Sequence, residues 1–344
     1  MFPVRAEIFR SSTRCTVPMN ARILQGHARD RVVGFGLAAL AALCWATGGL
    51  AAKWLFTPLD QVSASWPVPP LGITIDAATL SAARAVVAFC MLVVYLLARR
   101  RSALRIKPSD VPFLALFGVA GLAMVHFTYF RAISLTSVAT AILLEYLAPV
   151  IVLVFGVIVL GDRFTWSLPV AVALSVMGCA LVVGVLGGSR ITVSGQGLGW
   201  GLASAVFFAG YTLMGRWAAH RYSAWTLLVY GLGAASLFWL IVLGGPTRVF
   251  QALADTRTLL AIMFIALFST VIPFGAFLTA LHHIRATEAS VTSTLEPVIA
   301  AIAAWGLFGE TLTVVQIVGG LLVVAAIFVA QIPSEGDEVL PPAG

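Results

Sequence analysis

Charge is what this sequence has least of. Only 10% of its 344 residues are Asp, Glu, Lys or Arg, against 60% hydrophobic residues and a mean hydropathy of +1.00. Soluble domains carry about 25% charged residues. A core this apolar, folded in water, would leave broad exposed patches, which excludes a soluble enzyme. Cysteine is also scarce. Cys15, Cys44, Cys90 and Cys179 have no CxxC or other metal-ligand spacing, and three of them lie in apolar runs. Neither a disulfide nor a metal is expected. The phosphate loop GxxxxGK[ST], HExxH and GxSxG are all missing. With no acid–base constellation near one surface, a membrane-embedded hydrolase or transferase is disfavoured, and no cofactor is expected.

What the chain has in abundance is long apolar runs. A spanning helix needs about 20 predominantly apolar residues. Ten such runs occur, near 33–52, 78–98, 112–132, 137–160, 166–186, 197–217, 223–243, 259–281, 287–308 and 313–332. Their length and lack of period-2 alternation predict helices rather than strands of a membrane barrel. The segment 54–77, with Trp66, Pro67, Pro69 and Pro70, is too polar and too broken to span. The predicted fold class is therefore an all-α integral membrane protein with ten transmembrane helices.

The net charge of +7 does not point to nucleic acid, because the basic residues flank apolar runs. Six Arg fall in the first 31 residues and five basic residues between Arg99 and Lys107. With the N-terminus inside, 15 Lys and Arg face the cytoplasm and five face outward, while Arg84 lies within a helix. That bias predicts an inner (plasma) membrane protein with both termini cytoplasmic. Residues 1–32 read as a basic tail without the apolar core of a signal peptide, with Met19 a second candidate start. Residues 333–344 read as a disordered acidic, Pro-rich tail. The expected partners are the bilayer and a small-molecule substrate, with the chain a monomer or homodimer.

An internal repeat organises the chain. At an offset of 148 residues, Pro149-Val150-Ile151 matches Pro297-Val298-Ile299, Leu147 matches Leu295, Ala141 matches Ala289 and Gly161-Asp162 matches Gly309-Glu310. The predicted halves are 33–186 and 197–332, joined by a linker at 187–196. Each holds five helices, and an odd number makes the second copy inverted. Inverted repeats are typical of secondary transporters, whose sites lie near the bilayer midplane where helices are broken. Pro149 and Pro297 fall inside the fourth and ninth predicted helices, where each removes a backbone hydrogen bond. They are the expected hinges.

The segments TSVATAILLEYLAPVIVLVFGVIVLGDRFT (136–165) and ATEASVTSTLEPVIAAIAAWGLFGETLT (286–313) resemble the two signature halves of the EamA type of the drug/metabolite transporter superfamily. Gly161-Asp162 and Gly309-Glu310 stand where that family has a Gly-Glu pair, with Asp162 departing from it. The resemblance implies a ten-helix permease for amino acids or other metabolites. A multidrug exporter or lipid flippase is the alternative. The multidrug reading is disfavoured because 33–52 contains no acid, where the superfamily's small four-helix members depend on a Glu.

Ionisable residues within membrane helices are functional candidates by default. A rise of about 1.5 Å per residue puts Arg84 and His126 roughly 9 Å below the outer surface, Tyr129 one turn nearer it, and Glu145 roughly 12 Å deep beside Tyr146. Glu296 lies about 13 Å above the inner surface. Two readings stand side by side. Arg84 and Glu145 grip the carboxylate and ammonium of a zwitterion, or they neutralise each other as a structural pair. Glu145 and Glu296 are the candidates for proton coupling. Trp45, Tyr211 and Trp305 are weaker candidates for the cavity wall, and Glu288 is expected at the interface.

Overall fold

The computed structural model describes residues 19–56, 72–136, 138–184, 194–308 and 312–332. Gly309-Glu310, Cys15, most of the linker, the Pro-rich stretch Trp66–Pro70 and the C-terminal tail lie outside them. The described residues are all-helical. Seven helical stretches are long and apolar enough to cross a membrane, and two shorter apolar helices accompany them.

The first rod, α1 (Met19–Phe56), begins inside the basic tail predicted over 1–32, since no proline falls between Met19 and Phe56. Helix α2 (Ala77–Arg99) starts on Asp76, whose carboxylate accepts the backbone N–H groups of Ala78 and Thr79 at 3.1 and 2.9 Å. The third rod joins α3 (Val111–Leu116) to α4 (Met124–Leu135) through a π-helical turn, Phe117–Ala123. Next come α5 (Val138–Glu145) and α6 (Ala148–Val159), then α7 (Ser167–Val182). Helices α8 (Gly195–Ala218) and α9 (Ala224–Val242) follow, capped by Ser194 and Ser223. A short amphipathic α10 (Thr247–Ala254), not foreseen from the sequence, precedes α11 (Thr256–Ala266). A second π turn, Leu267–Val271, carries α11 into α12 (Ile272–His283). The chain closes with α13 (Ala286–Ser293), α14 (Leu295–Phe308) and α15 (Val314–Ala330).

Two sequence expectations need correction here. Pro149 and Pro297 do not kink continuous helices. The chain breaks one turn earlier, at Tyr146-Leu147 and at Thr294, and each proline sits in the first turn of the following helix. An N–H there has no intrahelical acceptor, so proline costs nothing. The two breaks are also in register at the 148-residue offset, as are the π turns ending at Ala123 and Val271.

Close packing rests on small residues. Helices α7 and α15 lie against each other at Gly178 and Gly319, where a Cβ on either would stand 2.7 Å from the other's carbonyl oxygen. The outer surface is apolar: Ile158, Val159, Trp166, Ile241, Leu321 and Phe328 are all exposed. Such a surface suits hydrocarbon rather than water.

Candidate functional site

An open cavity, with ≈ 700 Å³ of empty space that includes solvent at its mouth, lies between α1, α2, α4, α5, α8, the α11–α12 rod and α14. It occupies the middle of the bundle and the half remote from the Arg-rich helix ends. Six of the sequence candidates meet on its wall: Trp45, Arg84, His126, Tyr129, Glu145 and Glu296. Sequence reasoning missed Phe208, Ser269 and Phe274, which complete it. No pattern distinguishes these aromatics from packing aromatics; only the fold turns them inward.

Arg84 is 4% exposed, and its Nε has no hydrogen-bond partner. Its guanidinium lies 5.7 Å from the centre of the Phe130 ring. The pairing of Arg84 with Glu145 weighed above does not form; Glu145 instead accepts a short hydrogen bond from the Ser204 hydroxyl of α8. Ser204 reaches it because α5 packs along α8, with Leu144 seated against Gly201. His126 Nδ1 lies 2.8 Å from the Leu122 carbonyl, to which it donates. Behind Arg84 and His126 a second space of ≈ 250 Å³ is lined by Ser81, Thr270 and Trp239 among others.

Glu296 is held from the other half of the chain. The Tyr146 hydroxyl lies 2.6 Å from Glu296 Oε2 and 2.9 Å from the Ser293 carbonyl. Tyr146 therefore stands behind the cavity rather than in its wall, bridging the two helix breaks. Tyr211 is also behind it, fully buried among Phe117, Phe208, Phe274 and Phe277. Trp305 is 57% exposed and takes no part in the cavity, because its position on α14 turns it to the outer surface.

The Arg-rich end is sealed by α13, all eight of whose residues are buried. Glu288, expected at the interface, is 2% exposed. Its Oε1 accepts from Arg31 Nη2 at 2.9 Å and from Arg285 Nε at 3.3 Å, and its Oε2 from the Arg285 backbone N–H at 2.8 Å. Arg31 also reaches the Gln331 carbonyl, so one carboxylate ties α1, α13 and α15 together. Beside it, Gly161 adopts φ +70° and turns the chain after α6 into Asp162. Burial pushes the Asp162 carboxyl above its usual range, against the opposing pull of Arg216 and Arg285.

The model of the EamA-like transporter family matches residues 32–184 and again 195–331. The chain belongs to that family. It is 31% identical over 253 residues to the pseudopaline exporter CntI of Pseudomonas aeruginosa, covering 72% of this chain and 86% of that protein. It is 25% identical over 223 residues to a probable terminal-alkyne amino-acid exporter of Streptantibioticus cattleyicolor, covering 65% and 74%. A solved crystal structure superposes with a TM-score of 0.67 at 22% identity over 88% of this chain and 96% of that one, a likeness of fold. This EamA-like transporter is thus a multi-pass membrane protein with apolar spanning helices.

Proposed function

We propose that this transporter is a permease that exports small metabolites, foremost amino acids or related compounds, across an inner (plasma) membrane. Ten helices span the bilayer as two inverted five-helix repeats, 33–186 and 197–332, with both termini cytoplasmic. The in-register breaks and π turns support the repeat, as does the packing of α7 on α15 and α2 on α9, the pairs that a two-fold axis in the membrane plane would make. The halves rock about the breaks preceding Pro149 and Pro297, exposing the cavity to each side in turn.

The observation that carries this reading is the cavity wall, on which Arg84, unpaired and buried, stands with Glu145 and Glu296. Arg84 binds a substrate carboxylate, which Arg grips with paired N–H groups. Glu145 and Glu296 take an ammonium group or a proton. Trp45, His126 and Tyr129 complete the lining, and Tyr146 positions Glu296. One relative's name, a probable terminal-alkyne amino-acid exporter, supports this class of cargo.

The test is uptake of a panel of labelled amino acids into proteoliposomes holding the full chain, with and without a pH gradient. Saturable flux accelerated by the gradient is the expected outcome. Saturable flux indifferent to it would make both carboxylates plain substrate ligands. Absence of flux for amino acids and related metabolites alike would overturn the reading.

A further inference from the structure

The charges in the cavity wall do not balance one another. Among its lining residues stand one guanidinium, Arg84, and two carboxylates, Glu145 and Glu296. Each carboxylate is fixed from behind by a single hydroxyl, Ser204 for Glu145 and Tyr146 for Glu296, on its Oε2 atom. Neither Oε1 has a hydrogen-bond partner among the described residues, and neither is among the atoms closed off from the void. Both therefore face the cavity. Arg84 has no counter-ion, and its Nε opens on no protein acceptor.

A solute with one ammonium and one carboxylate would satisfy Arg84 and one Glu, leaving the second carboxylate to be matched by a proton or not at all. Uncompensated buried charge is strongly unfavourable. A diacid would meet two like charges, and a dication without a carboxylate would leave Arg84 alone. A solute with one carboxylate and two separated cationic nitrogens meets all three groups without a proton being taken up at either Glu. Between these poles the wall is aromatic, with Trp45, Phe130, Phe208 and Phe274. Such a lining suits a methylene stem and lends cation–π attraction to an ammonium group. The narrow space behind Arg84 has Ser81 and Thr270 on its wall, which keeps that end of the cavity polar.

We infer that the cargo is a diamino carboxylic acid or a close relative, an amphoteric solute carrying one more positive than negative group. This rests on the permease reading above and narrows its substrate class.

The experiment uses the full-length chain in proteoliposomes and four labelled probes that differ by one group each. L-Lysine carries all three charges, L-norleucine lacks the second ammonium, cadaverine lacks the carboxylate, and L-glutamate reverses the side-chain charge. At subsaturating concentration, lysine is expected to enter on the order of tenfold faster than each of the others, as one charge-assisted hydrogen bond lost would dictate. Arg84→Gln should collapse the preference of lysine over cadaverine. Glu145→Gln or Glu296→Gln should collapse that of lysine over norleucine. Norleucine or glutamate entering as fast as lysine in the unmodified protein overturns the inference, whatever the variants do. Flux of neutral amino acids without lysine leaves the permease standing and removes the diamino cargo. Absence of flux across the wider panel removes both.

Discussion

Glu288→Gln should unlatch the Arg-rich end of the bundle. The carboxylate is 2% exposed and uses both oxygens, one for the guanidiniums of Arg31 and Arg285, the other for the Arg285 backbone N–H. Glutamine keeps one oxygen and replaces the other with a donor. If its oxygen faces the guanidiniums, its NH₂ meets the backbone N–H. If the amide is flipped, its NH₂ meets two cations. In both orientations at least one charge-assisted bond gives way to a donor against a donor. Such bonds are worth about 1.5–3 kcal/mol. The partial exposure of Arg31, at 25%, favours the lower part of that range. A loss of about 2 kcal/mol shifts a closed-to-open equilibrium roughly 30-fold. The assay is maleimide labelling of Ser290→Cys in a chain whose native cysteines have been replaced, because Ser290 sits on α13 with no exposure at all. Adding Glu288→Gln should raise the labelling rate on the order of tenfold. A parallel Val323→Cys in the α7–α15 interface, equally buried, should not change. Unchanged labelling at Ser290→Cys would refute the latch, and an equal rise at both cysteines would mean general loosening instead.

Three further outcomes are expected. Gly319→Val should lower the unfolding temperature in detergent, since its Cβ would stand 2.7 Å from the Gly178 carbonyl oxygen and overpacking costs about 1–3 kcal/mol; Gly36→Ala, with nothing within 4 Å, should not. Asp76→Ala should destabilise the protein by about 1 kcal/mol through loss of the α2 cap. Burial of Asp76 acts to raise its carboxyl, but hydrogen bonds from Thr79 and Ala78 hold it below the usual value. Its contribution is therefore full above the unfolded pKa of about 4 and fades as pH falls through the lower folded value, where parent and variant thermal curves should converge. Asp162 has the opposite sign: burial raises its carboxyl, so the charged form weakens the fold as pH rises through that value. Asp162→Asn should melt higher than the parent at pH 8, and the gap should close on acidification; a lower melting point at pH 8 would contradict it.

The long rods were legible because hydrophobic length is a local signal, and the predicted spans fall on helices in the described residues. The convergence of Arg84, His126, Tyr129 and Glu145 was legible for a related reason, because helical rise converts position into depth. What the sequence could not convey was azimuth and partner. Depth alone does not separate an ion pair of Arg84 with Glu145 from the observed arrangement, in which Ser204 takes the carboxylate. Trp305 and Tyr211 were misplaced for the same reason, one turned outward and the other one layer behind the cavity. Tyr146 and Glu296, 150 residues apart, meet across the two halves, and only tertiary packing brings them together. The prolines were read as lying inside continuous helices, whereas each stands in the first turn of a new one; a proline in a first turn and a proline in mid-helix leave the same residue pattern.

The buried polar atoms without a partner among the described residues are Arg84 Nε, Asp162 Oδ2 and Ser290 Oγ. Each such atom costs about 1–3 kcal/mol, so their positions are informative. Arg84 Nε belongs to a residue that lines the cavity. The other two are at the Arg-rich end, Ser290 on α13 and Asp162 just after α6. In a permease that alternates, these are the two places that must be wet in one state and dry in the other. Water reaching Asp162 and Ser290 would relieve both, which favours opening; the bonds of Glu288 to Arg31 and Arg285 oppose it. A ligand can shift such an equilibrium only by its differential affinity for the two states, about 5.5 kcal/mol for a nearly complete reversal. The hydration of two polar groups, set against the bonds of one carboxylate, narrows the gap that a solute must cover. Fully satisfied apolar packing around α13 would instead hold the closed end shut against any small solute.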